Sequence, residues 1–518
     1  MAYLAVPIAA KNLDQAKQLI KTAKAADAEM LELRTDYLEN LSTDLVKNLI
    51  AEAKAADPQP LPIIVTCRDA QQGGAIGYPD QLRIDILAEA LKAGVEFIDF
   101  EYENFLSAEN RERIQRALSQ VLKGRLILSA HNFETKFPDI VKLHRHIQTL
   151  SPAAIPKLVY TANHINDCFE AFDLLHRTGG ERIVFCMGAA GLISRIIAKK
   201  LNSFVTFASI DDKSETAPGQ LTIEQLKKLY RFDSINAETE LFGVIADPVE
   251  HSLSPAIHNA CFAEKNMNKL YLPLLIEGGK EEFDYFLHHL FTRNWLGFRG
   301  LSITIPHKEN ALNFVKENRG FIEPLAEKIG AVNTIIVGPD SKLLAYNTDY
   351  AAALDAIIST LSSKTKLKNL PVAVIGAGGI ARAIVAGLSD AGAKITIYNR
   401  TVERGKKLAA EFNCDFAPLD DLANLDAKLV INCTSIGMYP NVDETPVPQG
   451  NLKKDMVVFD TVYNPPQTLL LKKAKEKKAK TIDGLSMFIN QAATQFKLFT
   501  GKDADPKLMR KTISNCLS

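Results

Sequence analysis

Several features are scarce in this chain of 518 residues, and each scarcity excludes something. Charge of either sign is not in excess: Lys plus Arg and Asp plus Glu are 61 each, so no global field draws the protein to nucleic acid or an anionic membrane. The expected partner is a small molecule. The seven cysteines are scattered with no C-x-x-C pair, which speaks against a zinc site or disulfide framework and for a reducing compartment. No metal is expected. No apolar run reaches the ~20 residues that cross a bilayer. The opening MAYLAVPIAAKNLDQ has no basic segment before its apolar residues and soon becomes a charged helix, so it reads as a first strand. The expectation is a soluble cytoplasmic protein, or a plastid protein lacking its transit peptide. One core is too few for this length; roughly 150 residues per domain gives about three, fewer if one is a barrel.

What is present is regular. Short apolar strands recur at Leu4 to Ile8, Met30 to Arg34, Ile63 to Cys67, Phe97 to Glu101, Leu126 to Ser129, Lys157 to Thr161, Ile183 to Met187 and Phe204 to Ala208. Amphipathic helices such as Leu13 to Ala25, Asp80 to Ala93 and Phe169 to His176 lie between them. Eight strand–helix units in about 225 residues is the arithmetic of a (β/α)8 barrel, whose chemistry sits where the strands end. Polar residues obey that rule: Glu32 and Arg34 end the second strand, Arg68 the third and Glu101 the fourth, and His131 follows the fifth. Lys157 differs, because it lies inside the apolar strand IPKLVY, where a barrel would point its amine inward. Desolvation favours a neutral amine, the form that attacks a ketone to make a Schiff base. A lysine that snorkels to the barrel mouth or pairs with a carboxylate is the alternative.

ELRTD at 32 to 36, TCR at 66 to 68, SAHNF at 129 to 133, PKL at 156 to 158, MGAAGLISR at 187 to 195 and TAPGQ at 216 to 220 occur in order. In these motifs the first half resembles type I 3-dehydroquinate dehydratase. The resemblance implies an imine between Lys157 and the substrate ketone, with His131 as base and then acid. It also implies that Arg195 clamps the ring carboxylate while Glu32, Arg34, Arg68, Thr216 and Gln220 hold hydroxyls and carboxylate. Thr216 stands where the family usually has serine. Gln72, four residues after Arg68, stands where the family has glutamate; glutamine can only hydrogen-bond, so dehydration is expected to be slower or to shift in pH profile.

The polar stretch ASIDDKSETAPGQ could close over a barrel mouth, a helix is expected over Ile223 to Tyr230, and Phe232 to Glu240 reads as a short linker. A new strand, Leu241 to Ile245, runs into Ser252 and Ser254 before a helix start at Pro255, where serines commonly cap. Lys308 follows the strand Leu301 to Ile305, and Asp349 lies in YNTDY. Pro371 to Ile375 is a strand, Gly376, Gly378 and Gly379 a tight turn, and Ile380 to Leu388 a helix, with Ala381 as third small residue: a phosphate cradle. The next strand, Lys394 to Tyr398, ends in Asn399, Arg400 and Thr401, with Arg404 one turn on. Two arginines without a carboxylate suit a 2′-phosphate, so the cofactor is expected to be NADP.

SLSP, TIPHK, AVNT, NTD, GAGG, NRT, NCTSIGM and DGLSMFINQA follow in order from about Leu241 to the end and resemble shikimate dehydrogenase. The resemblance implies that Lys308 and Asp349 are the catalytic pair, with Ser252, Ser254 and Tyr463 near the substrate carboxylate and Thr304, Asn333 and Gln491 on ring hydroxyls. Gly376, Ala377, Gly378 and Gly379 would cradle the pyrophosphate. Thr434, Met438 and Gly484 would lie near the nicotinamide. Tyr350 stands where the family more often has glycine and is expected to alter the local turn while leaving Asp349 in place.

Other stretches read as structure: Leu469 to Lys480 as a helix with a basic solvated face, Phe283 to Phe291 with His288 and His289 as a core-facing helix rather than a metal site, Trp295 as no ligand site, and His144, His146 and His164 as surface residues. The expected architecture is α/β: a barrel over 1–231, a substrate-binding domain over 239–350, and a Rossmann domain over 351–518 whose last helices return to the substrate domain. Together the resemblances imply a bifunctional enzyme acting on 3-dehydroquinate, 3-dehydroshikimate and shikimate; a monomer is expected, though the sequence does not set the oligomeric state. A shikimate or quinate dehydrogenase with a barrel impaired at Gln72, and a ligand-sensing regulator, are the alternatives.

Overall fold

A computed structural model describes residues 2–55, 60–211, 216–250 and 252–517. It forms two compact units. One runs through Glu240 and takes in Asn268–Glu277 and Tyr285–Gly297; the other comprises Leu241–Met267, Gly278–Asp284 and the chain from Phe298 onward.

The first unit is built on eight strands: β1 (Tyr3–Ile8), β2 (Met30–Arg34), β3 (Ile63–Thr66), β4 (Phe97–Glu101), β5 (Arg125–Asn132), β6 (Ile155–Thr161), β7 (Ile183–Met187) and β8 (Val205–Phe207). They run in the order β7-β6-β5-β4-β3-β2-β1-β8. Every recorded pairing is parallel. The N–H of Phe204 donates to the carbonyl of Arg182 at 2.7 Å, bringing the starts of β7 and β8 together and nearly closing the barrel.

Side chains two apart share a face of a strand, and this period sorts the interior into layers. Met30, Ile64, Phe97, Ile127, Ile155, Ile183 and Val205 form an apolar layer near the strand starts. Two residues on come Glu32, Thr66, Asp99, Ser129 and Lys157, all buried. The apolar layer seals the bottom, and polar groups are left for the top.

The surface position expected of His144 needs correction, whereas the helix expected over Ile223 to Tyr230 is present and is π-helical over Gln225–Leu229. In the short stretch Phe232 to Glu240, Phe232, Ile235 and Thr239 are buried and Lys200 donates to the carbonyls of Ala237 and Thr239, both at 2.8 Å. His144 is buried at 3 % exposure, since it shares the inward face of the helix Ile140–Leu150 with Ile140 and Ile147. His146 is exposed, and partly buried His164 caps a 3-10 turn. Residues 212–215 of the polar stretch expected to cover the barrel mouth lie outside the described residues. Within this unit Arg293 forks onto Asp173 with two 2.8 Å bonds, and Trp295 stacks on His176 at 3.9 Å.

The remaining strands are β9 (Glu240–Ala246), β10 (Lys269–Leu275), β11 (Phe298–Ile303), β12 (Phe321–Ile322), β13 (Thr334–Val337), β14 (Leu343–Tyr346), β15 (Pro371–Ile375), β16 (Lys394–Asn399), β17 (Asp415–Pro418), β18 (Leu429–Asn432), β19 (Val457–Asp460) and β20 (Lys480–Ile482). Five strands of a mixed sheet follow the order β9-β11-β13-β14-β12. A six-stranded parallel sheet follows β17-β16-β15-β18-β19-β20. That is the doubly wound order in which a dinucleotide sits at the switch point beside the first strand, here β15.

Tyr350 does not reshape a turn. It lies inside the helix Thr348–Leu361, and its ring fills the space left by Gly387, where an added Cβ would meet it at 1.8 Å. The basic helix stops at Glu476 rather than Lys480, because Lys478 turns to a positive φ and Lys480 begins β20. The helix expected from Phe283 spans Lys280–Thr292 and buries Phe283, Phe286, Leu287 and Leu290. No helix among the described residues is long and apolar enough to cross a membrane.

Candidate active sites

Each unit contains a cavity in which charged and polar side chains meet an apolar wall. The first, at the C-terminal ends of the barrel strands, is lined by Glu32, Arg34, Arg68, Gln72, His131, Lys157, Arg195, Thr216 and Gln220, with Phe133, Phe185, Met187 and Phe207 as apolar wall. All eight barrel residues singled out as substrate-binding or catalytic therefore meet in one place, and Gln72 joins them.

Lys157 is buried but not alone. Its Nζ lies 2.8 Å from Asp99, 3.6 Å from Glu32 and 4.6 Å above the Phe207 ring. Asp99 also takes a 2.6 Å bond from the Ser129 hydroxyl and pairs with Arg68 at 3.0 Å. Burial opposes its ionisation, yet the Arg68 and Lys157 cations outweigh burial and hold the carboxyl well below its usual range. Arg68 donates to Glu101 at 2.8 Å, and Glu101 is also bonded by the buried Arg83. Arg34 forks onto Asp36 at 2.9 and 2.7 Å, while Arg195 lies over the Phe185 ring at 4.5 Å. Thr216 donates to Gln220 through both its N–H and its hydroxyl, at 2.9 and 3.1 Å.

His131 follows from the same field. Burial first, then the Arg68 and Lys157 cations, hold its imidazole well below the ordinary pKa, so the ring is a neutral base at neutral pH. Phe133 stacks on it at 5.9 Å. The Oε1 of Gln72 accepts from its backbone N–H at 3.1 Å and lies 3.2 Å from its Nδ1.

The second cavity, about 410 Å³, is lined by Ser252, Ser254, Thr304, Lys308, Asn333, Asp349, Met438, Tyr463, Gly484 and Gln491, among others. Lys308 opens the helix Lys308–Glu317, and its Nζ meets Asp349 at 2.5 Å. Asn347 caps the helix carrying Asp349. Asn333 accepts from the N–H of Thr348 at 2.8 Å, so two asparagines fix the start of that helix. Ser252 accepts a 3.4 Å bond from the N–H of Ser254 but does not cap the helix Ser254–Glu264 in the usual way; its N-cap is Leu253. Tyr463 stacks on Phe488 at 4.8 Å.

A groove of about 550 Å³ in the same unit is lined by Ala377, Gly378, Gly379, Arg404, Lys407 and Lys308. Its residues fit a dinucleotide phosphate. No side chain caps the helix Gly379–Asp390, and a Cβ at Gly378 or Gly379 would meet no atom and project into open space, so a phosphate can approach the helix start. Gly376 turns the chain at φ 110. Asn399, Arg400 and Thr401 stand at the end of β16, outside the groove lining; Asn399 donates to the Thr401 carbonyl at 2.8 Å and Arg400 is exposed. Thr434 follows β18 and donates to Asn432 at 2.6 Å.

Comparison with known proteins identifies the family of each part of the chain. The family description "Type I 3-dehydroquinase" matches residues 4–237, "Shikimate dehydrogenase substrate binding domain" residues 244–335, and "Shikimate / quinate 5-dehydrogenase" residues 348–486. A chloroplastic bifunctional 3-dehydroquinate dehydratase/shikimate dehydrogenase of Arabidopsis thaliana is 36 % identical over 530 residues, covering 99 % of this chain and 84 % of that protein. The chain belongs to the bifunctional 3-dehydroquinate dehydratase/shikimate dehydrogenase family. It is thus an enzyme, a lyase in its first half and an oxidoreductase in its second. A shikimate dehydrogenase (NADP(+)) of Methanosarcina barkeri is 40 % identical over 289 residues, 54 % of this chain and 99 % of that protein. A crystal structure of a shikimate dehydrogenase in complex with NADP+ is 39 % identical, with a TM-score of 0.50, covering 55 % of this chain and 98 % of the other.

Reading the sequence missed several residues of these sites. Asp99 is the chief omission in the dehydratase half, although it precedes Glu101 by the two residues that put both on one face. In the dehydrogenase half Gln495 was missed; buried, it bonds Ser302, the Asn333 carbonyl and Thr334 at 2.9, 3.1 and 2.9 Å. Asp460, which lines neither cavity, also went unremarked: it is a buried carboxyl pushed by burial up to about 6 and bonds Asn432 and Thr468 at 3.0 and 2.6 Å.

The Asp99 bridge gives a stability prediction. Asp99→Asn leaves Arg68 and Lys157 short of a buried counter-charge and should lower unfolding stability by about 3–5 kcal/mol, read by chemical denaturation. A loss under ~1 kcal/mol would mean that Glu32 and Glu101 alone neutralise the cations.

Proposed function

We propose that the barrel dehydrates 3-dehydroquinate and that the second unit reduces the product, 3-dehydroshikimate, to shikimate with NADPH. The observation that carries the reading is a buried lysine and a neutral histidine in one cavity, with the Lys308–Asp349 pair in the other. In the barrel, Lys157 condenses with the ring ketone and releases water. The cationic imine withdraws electrons from the neighbouring carbon, so a C–H otherwise too weakly acidic yields its proton to His131. The same imidazole then protonates the departing hydroxyl, and hydrolysis of the imine frees product and lysine. Arg195 clamps the carboxylate, and Glu32, Arg34, Arg68, Thr216 and Gln220 hold the remaining polar groups.

In the second unit Ser252, Ser254 and Tyr463 hold the carboxylate, and Thr304, Asn333 and Gln491 the ring hydroxyls. Bound NADPH supplies hydride. Lys308 stabilises and protonates the carbonyl oxygen, where negative charge develops, and Asp349 orients the lysine and the hydroxyl. Gly376, Ala377, Gly378 and Gly379 hold the pyrophosphate. Asn399, Arg400, Thr401 and Arg404 hold the 2′-phosphate, and Thr434, Met438 and Gly484 border the nicotinamide. The reading divides the chain at 1–231, 239–350 and 351–518. It describes a monomer working on small molecules, in cytoplasm or, in a plant, in the plastid.

One assay tests both halves: 3-dehydroquinate plus NADPH should consume NADPH, and borohydride should trap substrate on wild type but not on Lys157→Ala. Consumption with 3-dehydroshikimate alone would leave an inactive barrel, and none with either substrate would point to ligand sensing. A separate prediction concerns the cofactor. Arg400→Asp should raise KM for NADPH by at least about tenfold, the worth of a charge-assisted bond, and leave dehydration unchanged; equal loss in both activities would count against the assignment.

A further inference from the structure

The neutral imidazole of His131 has two nitrogens, and only one can act as base. What selects it is legible in the groups behind the ring. Gln72 is buried at 8 % exposure, on a 3-10 turn closed by Gly73 at φ 83. Its Oε1 faces the backbone N–H and the Nδ1 of His131, at 3.1 and 3.2 Å. Its Nε2 donates to Oε2 of Glu103 at 3.2 Å. Glu103 follows β4 on the short helix Tyr102–Phe105 and is exposed to solvent.

The chemistry of these neighbours admits one orientation of the amide. A backbone N–H can only donate and a carboxylate can only accept, so the oxygen of Gln72 must face His131 and the nitrogen must face Glu103. Nδ1 then carries the proton, and Nε2 keeps the lone pair. A glutamate at position 72 would need no such help, because both its oxygens accept. A glutamine has one accepting end and must be told which way to point.

We infer that Glu103 is a positioning residue for dehydration, acting through the amide of Gln72 to hold His131 as the Nδ1–H tautomer with Nε2 as the base. The inference rests on the dehydratase reading of the barrel. Arg34, Arg68, Lys157 and Arg195 as cations and Glu32 as an anion line the cavity with His131, and the Asp99 carboxylate also acts on its imidazole; the bond to the amide nitrogen of Gln72 comes from Glu103.

The test uses the full-length enzyme with 15N-labelled histidine. Because Glu103 is exposed, its replacement does not open the core. In wild type the His131 signal should report protonated Nδ1 and bare Nε2. Glu103→Lys offers the amide nitrogen a donor in place of an acceptor, leaves the His131 backbone N–H as the group that holds the oxygen inward, and should shift that pattern toward a mixture of the two tautomers. Its kcat for dehydration should fall by about tenfold or more, the scale of one misdirected hydrogen bond, with KM for 3-dehydroquinate and the dehydrogenase rate near wild type. Glu103→Ala should lose less, and adding Gln72→Glu to Glu103→Ala should restore kcat. An unchanged tautomer in Glu103→Lys, or no recovery in the double variant, would overturn the inference. The tautomer reading needs no turnover, so a wild type without dehydratase activity would sink the functional reading of the barrel by a separate result.

Discussion

The barrel depends on one electrostatic constraint: a charge taken out of water must meet its opposite. Stripped of solvent, an ammonium or guanidinium costs several kcal/mol unless a carboxylate lies against it. Lys157 and Arg68 are both almost fully buried, and Asp99 touches the two of them at 2.8 and 3.0 Å. With Glu32 3.6 Å from the lysine the four charges cancel, so loss of the lysine would leave an anionic centre and loss of the aspartate a cationic one. The cluster that makes the lysine tolerable also shapes its neighbour. With Arg68 and Lys157 close to the imidazole, a further positive charge on His131 is disfavoured, so the same cations keep the ring neutral.

The second unit answers the same constraint differently. Lys308 and Asp349 are each less buried than Lys157 and Asp99, and they meet as a simple pair at the start of two helices. Here the demand falls on the backbone. The carboxylate is aimed by Asn347 and Asn333, which satisfy the first N–H groups of its helix, and the helix Gly379–Asp390 begins with no side chain capping its N–H groups. One site is set by paired side chains inside a closed sheet, and the other by how helices begin.

This contrast explains what the sequence could disclose. Strands β2, β4 and β7 were legible to the residue because an apolar run bounded by polar turns leaves little choice. The layering of the barrel follows from period two, and Asp99 was within reach of that logic two residues before Glu101. His144 was legible in principle as well, four residues from Ile140 and three from Ile147, but a polar residue on an apolar helical face is easily read as surface. The end of the basic helix at Glu476 was not legible: Lys477 and Lys478 are good helix formers, and a strand beginning at Lys480 overrides their propensity. Asp460 and Gln495 lacked any local signal, since what marks them is a set of bonds to residues distant in the chain.

Departures from a family pattern carry information only together with what they touch. Tyr350, taken singly, suggested a disturbed turn, yet Gly387 opposite it supplies the volume that the ring needs, and the helix bearing Asp349 is kept. Gln72, taken singly, suggested a weakened base. Its amide nevertheless occupies the place where an acceptor must face His131, and a carboxylate stands one residue-length behind it on Glu103. A second carboxylate at position 72 would lie against that one and raise the affinity of the pair for a proton. With Glu103 present, glutamine is therefore the side chain that gives His131 an acceptor without crowding two anions, and the substitution reads as half of a pair rather than as a lost residue.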